Sequence, residues 1–504
     1  MSDSTLTLGR NQNQAIGIGH YAINFLSGRW GPPSRRALAQ VERFHLDSIA
    51  CGVSALACRT NAPRLLRQEA LEYTVNDPHA GVPLFGSRVR VMPEKAVVAN
   101  ASAVREWDSN GTNFGYNPSR GATRGEFGHN DFYPVAIAAA QLSGLDGHQA
   151  LLAMLLLDEI RGRLAEVFGL KNYKIDHVLH GAIASAATYG AVLGATPEQI
   201  ESAIGMVVAH YVPFRAIRHG AQLSDSKGAS AAISAEVAVL SMKRAIRGFL
   251  GPADIFRNPE AIFCLFEKPA EPNASPFDLH LGTSGDDFAV MGMHFKLGLY
   301  EHQSAGAIQG LIDLLIRHPQ LLLAEEAIES MRITIYEPAF SIIGDPAKRD
   351  PRTRQSADHS MVYIIATLLR KALQNRQVGW KELMLLPADY DEIALFDPLT
   401  RSLMHRIEFR HGGPDYDARY PDGIPTTVEI EHATLGRVSS GLVMYPAGHA
   451  RNTDARLEEL LAHKFHVLAG LAVANPQELA RRFSLEGKSP MEIASLYDFE
   501  IRGL

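Results

Sequence analysis

Between residues 36 and 248 the sequence reads as helix after helix, and this run limits the fold more than any other feature of the chain. "RALAQVERFHLDSIACGVSALA" (36–57) repeats its apolar residues at helical spacing, and "PEKAVVANASAVREW" (93–107) places a proline in its first turn, a helix-start signal. "YPVAIAAAQLSG", "GHQALLAMLLLDEIRGRLAEVFG", "HVLHGAIASAATYGAVLG" and "TPEQIESAIGMVVAHYV" follow, with Thr196 placed as an N-cap. "SDSKGASAAISAEVAVLSMKRAIRG" (224–248) closes the run, opened by Ser224 or Ser226. After about residue 290 the period changes. "MRITIYE" (331–337), "SLMHRIEFR" (402–410), "TTVEIEHA" (426–433) and "RVSSGLVMYP" (437–446) read as strands, with helices at 304–318 and 359–374 between them. The chain then returns to helix. The expected fold is mainly α: a large all-helical domain built from both chain ends (1–290 and 448–504), with a smaller inserted α+β domain (291–447) carrying an antiparallel sheet.

Composition excludes several function classes. The formal charge is −6 over 504 residues, with no basic excess to attract nucleic acid or an anionic membrane. No apolar run reaches the ~18 residues of a membrane span, and the N-terminal stretch has no secretory pattern, so a cytoplasmic protein is expected. The three cysteines, Cys51, Cys58 and Cys264, suit a reducing compartment, and Cys51 and Cys58 read as small core residues of one helix. No Cys-x-x-Cys pair offers iron–sulfur ligands, and no histidine pair has close spacing backed by carboxylates. No cofactor and no metal are therefore expected. Nucleotide-binding, zinc-protease and serine-hydrolase motifs are also missing.

What remains is a set of polar residues at the ends of apolar helices. Asp108 closes one helix, and Asn110, Thr112 and His129 lie on the long glycine-rich stretch after it, which reads as a loop. Helix capping and turn formation account for these residue types equally well. Asp176 and His177 stand at the start of another helix, where a core histidine is the alternative. Arg215, Arg218, His219, Ser224, Asp225, Ser226 and Lys227 cluster before the 224–248 helix. Here the helix N–H groups, a lysine and an arginine would together hold an anion, unless this face is simply solvated. Lys296 and His302 flank the link into the smaller domain, and Arg354, Asp358 and His359 enter a helix within it. Cations and histidines at helix starts beside glycine suit a polycarboxylate site with proton transfer.

The segments "DSIACGVSAL", "REWDSNGT" with "GHND", "KIDHVLHGAIASAA", "RHGAQLSDSKGASAAISAEVAVL", "FKLGLYEHQSA", "SADHSMVYIIATLL", "VMYPAGHARN" and "PMEIASLYDFEI" resemble, in order, those of the MmgE/PrpD family. The resemblance runs from about residue 36 to the end. It implies a homodimer with its site between the two domains. It also implies a lyase of the 2-methylcitrate dehydratase type, eliminating water from a small hydroxy tricarboxylate by acid–base catalysis without iron. A cis-aconitate-type decarboxylase or an epimerase on the same scaffold is the alternative, and a non-catalytic polycarboxylate-binding protein is the rival of another class. The resemblance assigns catalytic roles to His129, His177, Asp108, Lys227 and His302. His129 or His177 would be base or acid, with Asp108 orienting the imidazole. Thr112 and Lys296 also match the family pattern, and with Asn110, Arg218, Ser226 and Arg354 they complete the expected substrate-binding set. The chain departs from that pattern at Gly111, where an acidic residue is usual, and at Asn130, where a proline follows the histidine. It departs again at Asp225–Gly228, and the stretch between Thr112 and His129 is longer than usual.

Overall fold

The computed structural model describes residues 4–77 and 79–504 of the chain. Helices form where the 3.6-residue period predicts them: Arg35–Ala57, Pro93–Arg105, Tyr133–Ser143, Gly147–Val167, Val178–Val192, Pro197–His210 and Asp225–Ile246. Thr196 accepts from the Gln199 N–H while the Gln199 side chain accepts from the Thr196 N–H, and Asp146 and Gln149 make the same reciprocal cap. Caps of this kind stabilise a helix by about 1 kcal/mol. Gly147–Val167 and Val178–Val192 are buried on almost every face, as their apolar circumference requires, and form the middle of a helical bundle. Cys51 is buried in the Arg35–Ala57 helix, but Cys58 caps that helix and is exposed, so only the first is a core residue.

Two apolar clusters fill the molecule. The larger draws on side chains from Leu8 to Phe295 and again from Ala469 to Ile501. The second is built mainly from residues 299–430. Near it lies a four-stranded sheet of β3 (Ile328–Ile335), β4 (Ile407–His411), β5 (Thr426–His432) and β6 (Gly436–Val443), in the order β6-β5-β3-β4. β6, β5 and β3 are antiparallel neighbours, but β4 lies parallel to β3, so the sheet is mixed. The helix Pro398–His405 replaces the expected start of β4. Asp397 caps it and Pro398 opens it, and the strand begins only at Ile407. After the sheet the chain re-enters the bundle, where Leu457–Ala472 packs on Arg35–Ala57.

The glycine-rich stretch before His129 is not a loop. It is a β-hairpin of β1 (Thr112–Asn117) and β2 (Ala122–His129), turned by Pro118–Arg120 and Gly121 at φ 71°. A left-handed φ after a short helical turn is where glycine is favoured. The register sets Thr112 directly opposite His129, which brings residues from the two ends of the stretch together. The departures at Gly111 and Asn130 turn out to be one feature. A Cβ at Gly111 would lie 2.1 Å from the Asn130 Oδ1 and 2.4 Å from the Phe44 ring. The Asn130 amide occupies that space and donates to Asp158, 3.1 Å away. Gly111→Ala should therefore destabilise the fold by about 1–3 kcal/mol, as overpacking does. In denaturant unfolding the Gly111→Ala/Asn130→Ala double variant should lose less than the sum of the single losses; strict additivity would disprove the coupling.

Candidate active site

The site forms where the Pro93–Arg105 helix ends, the hairpin closes and the chain crosses between the two apolar clusters. Asp108 takes a left-handed backbone, φ 50°, which is unusual for a non-glycine residue and turns its carboxylate inward. That carboxylate is 2% exposed and ringed by cations. Arg105 and Lys296 pair with its Oδ1, Lys227 Nζ lies 3.4 Å from its Oδ2 and His359 Nε2 lies 2.9 Å from the same oxygen. Lys296 also donates to the Asp108 carbonyl at 2.6 Å. Burial opposes the charge, but Arg105, Lys296 and Lys227 together hold the Asp108 carboxyl well below the ordinary carboxylate range. Burial lowers Lys296 to about 8 against the pull of Asp108.

Asp358 forms the second anchor. It accepts from Lys227 at 3.2 Å, from Arg354 at 3.0 Å and from the neighbouring His359. Asp108, Asp358 and His359 come close enough to hold a metal ion. A divalent cation there would stand directly against Lys227, Lys296 and Arg105, which pair with these same carboxylates, so the donor set does not fit one.

The two leading histidines differ in what surrounds their nitrogens. His177 has Arg161 Nη2 at 3.3 Å from Nδ1 and Arg218 Nη2 at 3.2 Å from Nε2. Burial and these two guanidinium groups lower its pKa well below 6.5, although Asp176 pulls the other way. With a guanidinium beside each nitrogen, His177 is poorly placed to take up a proton, since the resulting imidazolium would stand between two cations. His129, at the end of β2, has its edge toward His177, with ring centroids 5.3 Å apart. Its Nδ1 is buried with no hydrogen-bond partner among the described residues, while its carbonyl is fixed by Arg161. Burial, with Arg105 and Lys296, holds its pKa well below 6.5. His129 is thus a neutral imidazole in the folded protein.

Asp108, Thr112, His129, His177, Arg218, Lys296 and His302 all line one cavity, with Arg105, Phe127, Arg215, Glu301, Ile342, Ile343, Lys348 and His359 completing most of its wall. The enclosed space is about 60 Å³. That is room for about five waters. His302 is buried with both ring nitrogens unpartnered and stacks on His294, centroids 5.1 Å apart. Arg218 reaches the cavity while pairing with Asp176.

Other expected residues are placed differently. Ser226 is exposed and off the cavity: Lys227, the next residue on the helix, turns inward, and the ~100° step between neighbours turns Ser226 outward. Asn110 is buried but does not line the cavity. Arg354 is committed to Asp358 and to Glu106 at 2.6 Å, and Lys227 stands behind Asp108 and Asp358 rather than in the wall. Sequence reasoning passed over Arg105, Glu301 and Lys348, and did not join Asp358 and His359 to the site. For these last two the signal was the Asp-His pair at a helix start; for Lys348, on an intermediate, polar segment, there was none. Lys464 ties the whole together: its buried Nζ donates to the Ser109 carbonyl, to the Lys296 carbonyl at 2.8 Å, and pairs with Asp47 at 2.7 Å.

The MmgE/PrpD N-terminal domain model matches residues 27–275 and the MmgE/PrpD C-terminal domain model matches residues 301–485. The chain is 24% identical to a 2-methylcitrate dehydratase of Escherichia coli (strain K12) over 429 residues, 82% of this chain and 83% of that one. It is 24% identical to a 2-methylcitrate dehydratase of Salmonella typhi over 84% of each chain. It is also 24% identical to a probable 2-methylcitrate dehydratase of Saccharomyces cerevisiae over 86% of this chain and 81% of the relative. Matched over both of its halves, the chain belongs to the MmgE/PrpD family.

Proposed function

We propose that this protein is a hydro-lyase of the 2-methylcitrate dehydratase type, removing water from a small hydroxy tricarboxylate. The observation that carries this reading is a buried, neutral His129 in the wall of a cavity that also carries Arg105, Arg218, Lys296 and Lys348. The relatives named as 2-methylcitrate dehydratases support the substrate class. A proton next to a carboxylate is weakly acidic, so its removal needs the developing negative charge to be balanced as it forms. The cationic walls do this, and His129 takes the proton. Lys348 comes from the smaller part of the molecule and Arg218 from the helical part, so a substrate with several carboxylates is gripped from both sides. The space of about 60 Å³ is well below the size of ordinary ligand sites. The wall carrying Ile342, Ile343 and Lys348 must therefore move outward to admit such a molecule.

The purified protein should be incubated with a panel of hydroxy tricarboxylates in EDTA and the products followed by proton NMR. For 2-methylcitrate the methyl doublet should collapse to an allylic singlet, and for an unmethylated hydroxy tricarboxylate a vinylic proton should appear, in both cases with no loss of carbon dioxide. Released carbon dioxide, or no turnover across the panel, would overturn the reading. Carboxylate affinity should also weaken as pH rises through about 8, because Lys296 then loses the charge that holds the ligand. Citrate titrations by calorimetry between pH 6.5 and 9 check this; unchanged affinity would remove Lys296 from the binding role.

A further inference from the structure

His129 leaves half of an elimination unaccounted for, since the departing hydroxyl must also be protonated. His302 is another histidine of the cavity wall, but burial, Lys296 and His449 hold its pKa well below 6.5, and a neutral imidazole is a weak acid. We infer that Glu301 is the acid that delivers this proton, making it a second catalytic residue of the site. This rests on the dehydratase reading above.

The geometry singles out Glu301 among the carboxyl groups here. Asp108, Asp176 and Asp358 are each paired with cations. Glu301 lines the same cavity, and among the described residues its oxygens accept only from the Gln303 N–H, at 3.0 and 2.9 Å. Its own N–H is held by the Asp358 carbonyl at 2.8 Å, which fixes its backbone on the crossover segment between Lys296 and His302. The groups that face it are Lys296 from this crossover, Asp108 from the turn before the hairpin, and Lys348 and Tyr336 from the smaller part. Burial and Asp108 push its carboxyl up to about 7, with the Gln303 N–H and the two lysines opposing. At neutral pH the proton it carries is therefore available for transfer.

The step balances without a co-reactant. His129 takes the proton next to the carboxylate, and the electron pair of that C–H bond becomes the new C=C bond. The C–O bond breaks, its electron pair leaves with oxygen, and the Glu301 proton completes the water. Glu301 is left ionised and His129 protonated, and exchange with solvent restores both.

Two measurements on Glu301→Gln, whose amide oxygen can still accept the Gln303 N–H, test the assignment. The first needs no substrate: potentiometric titration of folded wild type and variant from pH 5 to 9 should differ by one proton with a midpoint near 7. A midpoint in the ordinary glutamate range would overturn the inference. The second uses turnover. The variant should lose about 100-fold or more in kcat with little change in KM, and its pH profile should lack the fall in kcat expected of the wild type as pH rises past about 7. An unchanged profile would overturn the inference, whereas a wild type inert toward the whole panel would overturn the proposed function and leave the titration to decide on Glu301.

Discussion

Replacing His129 with glutamine is expected to lower kcat by about 10²–10⁴-fold, the usual loss when a general base is removed, with no measurable loss of fold. The second half of this expectation follows from the partners of the ring. Nδ1 makes no hydrogen bond among the described residues, and the contact that fixes this residue runs from Arg161 to its backbone carbonyl, which a substitution keeps. His177→Gln should behave in the opposite way. Its ring sits between Arg161 and Arg218, so its loss disturbs Arg218, a cation of the cavity wall, and should appear mainly in KM. Steady-state kinetics of both variants, beside circular dichroism, make the comparison. Equal kcat losses in the two would remove the distinction between base and binding group.

The second large effect is expected from Asp108→Asn, and it falls on stability as well as turnover. Arg105, Lys227 and Lys296 are almost fully buried and all face this carboxylate. Removing one member of a buried ion cluster leaves unbalanced charge, typically at about 3–5 kcal/mol. The pH dependence has a definite sign. Burial already lowers both lysines in the wild type, and without Asp108 they fall further below their values in the unfolded chain. The unfolded state then binds more protons, so stability rises with pH from neutral toward the ordinary lysine range. Thermal or denaturant unfolding of the variant at pH 6.5 and 8.5 should show greater stability at the higher value. A variant as stable as wild type at both would show that the cluster does not depend on Asp108.

Much of this was legible in the sequence because helix period survives in any context. The Gly147–Val167 and Val178–Val192 helices lie where their apolar residues place them. The hairpin was not legible: its glycines, asparagines and Pro118 are residues of loops, and only the pairing of Thr112 with His129 makes them strands. The sheet was read as antiparallel because sequence shows that strands exist but not which neighbours they take, and β4 returns beside β3 in parallel. Site residues that change the chain's direction, such as Asp108 and Lys296, were recognisable. Ser226 was misplaced because at a helix start adjacent residues face different ways. Glu301 carries no signal in sequence, since a glutamate beside Tyr300 and His302 looks the same whether buried or solvated. Its position became meaningful only when Asp108, Lys296 and Lys348 were found around it.

Lys464 has a consequence for the order in which the molecule can be made. Its ammonium holds the carbonyls of Ser109 and Lys296, one beside the central carboxylate and the other on the crossover segment. A chain emerging from the ribosome therefore presents almost all of its cavity-lining side chains long before the lysine that locks them in register. The helix Leu457–Ala472 follows the whole smaller part of the molecule and docks on Arg35–Ala57, made about 400 residues earlier. Nascent chains stalled before this helix should carry the cation cluster without the lysine that fixes the Ser109 and Lys296 carbonyls.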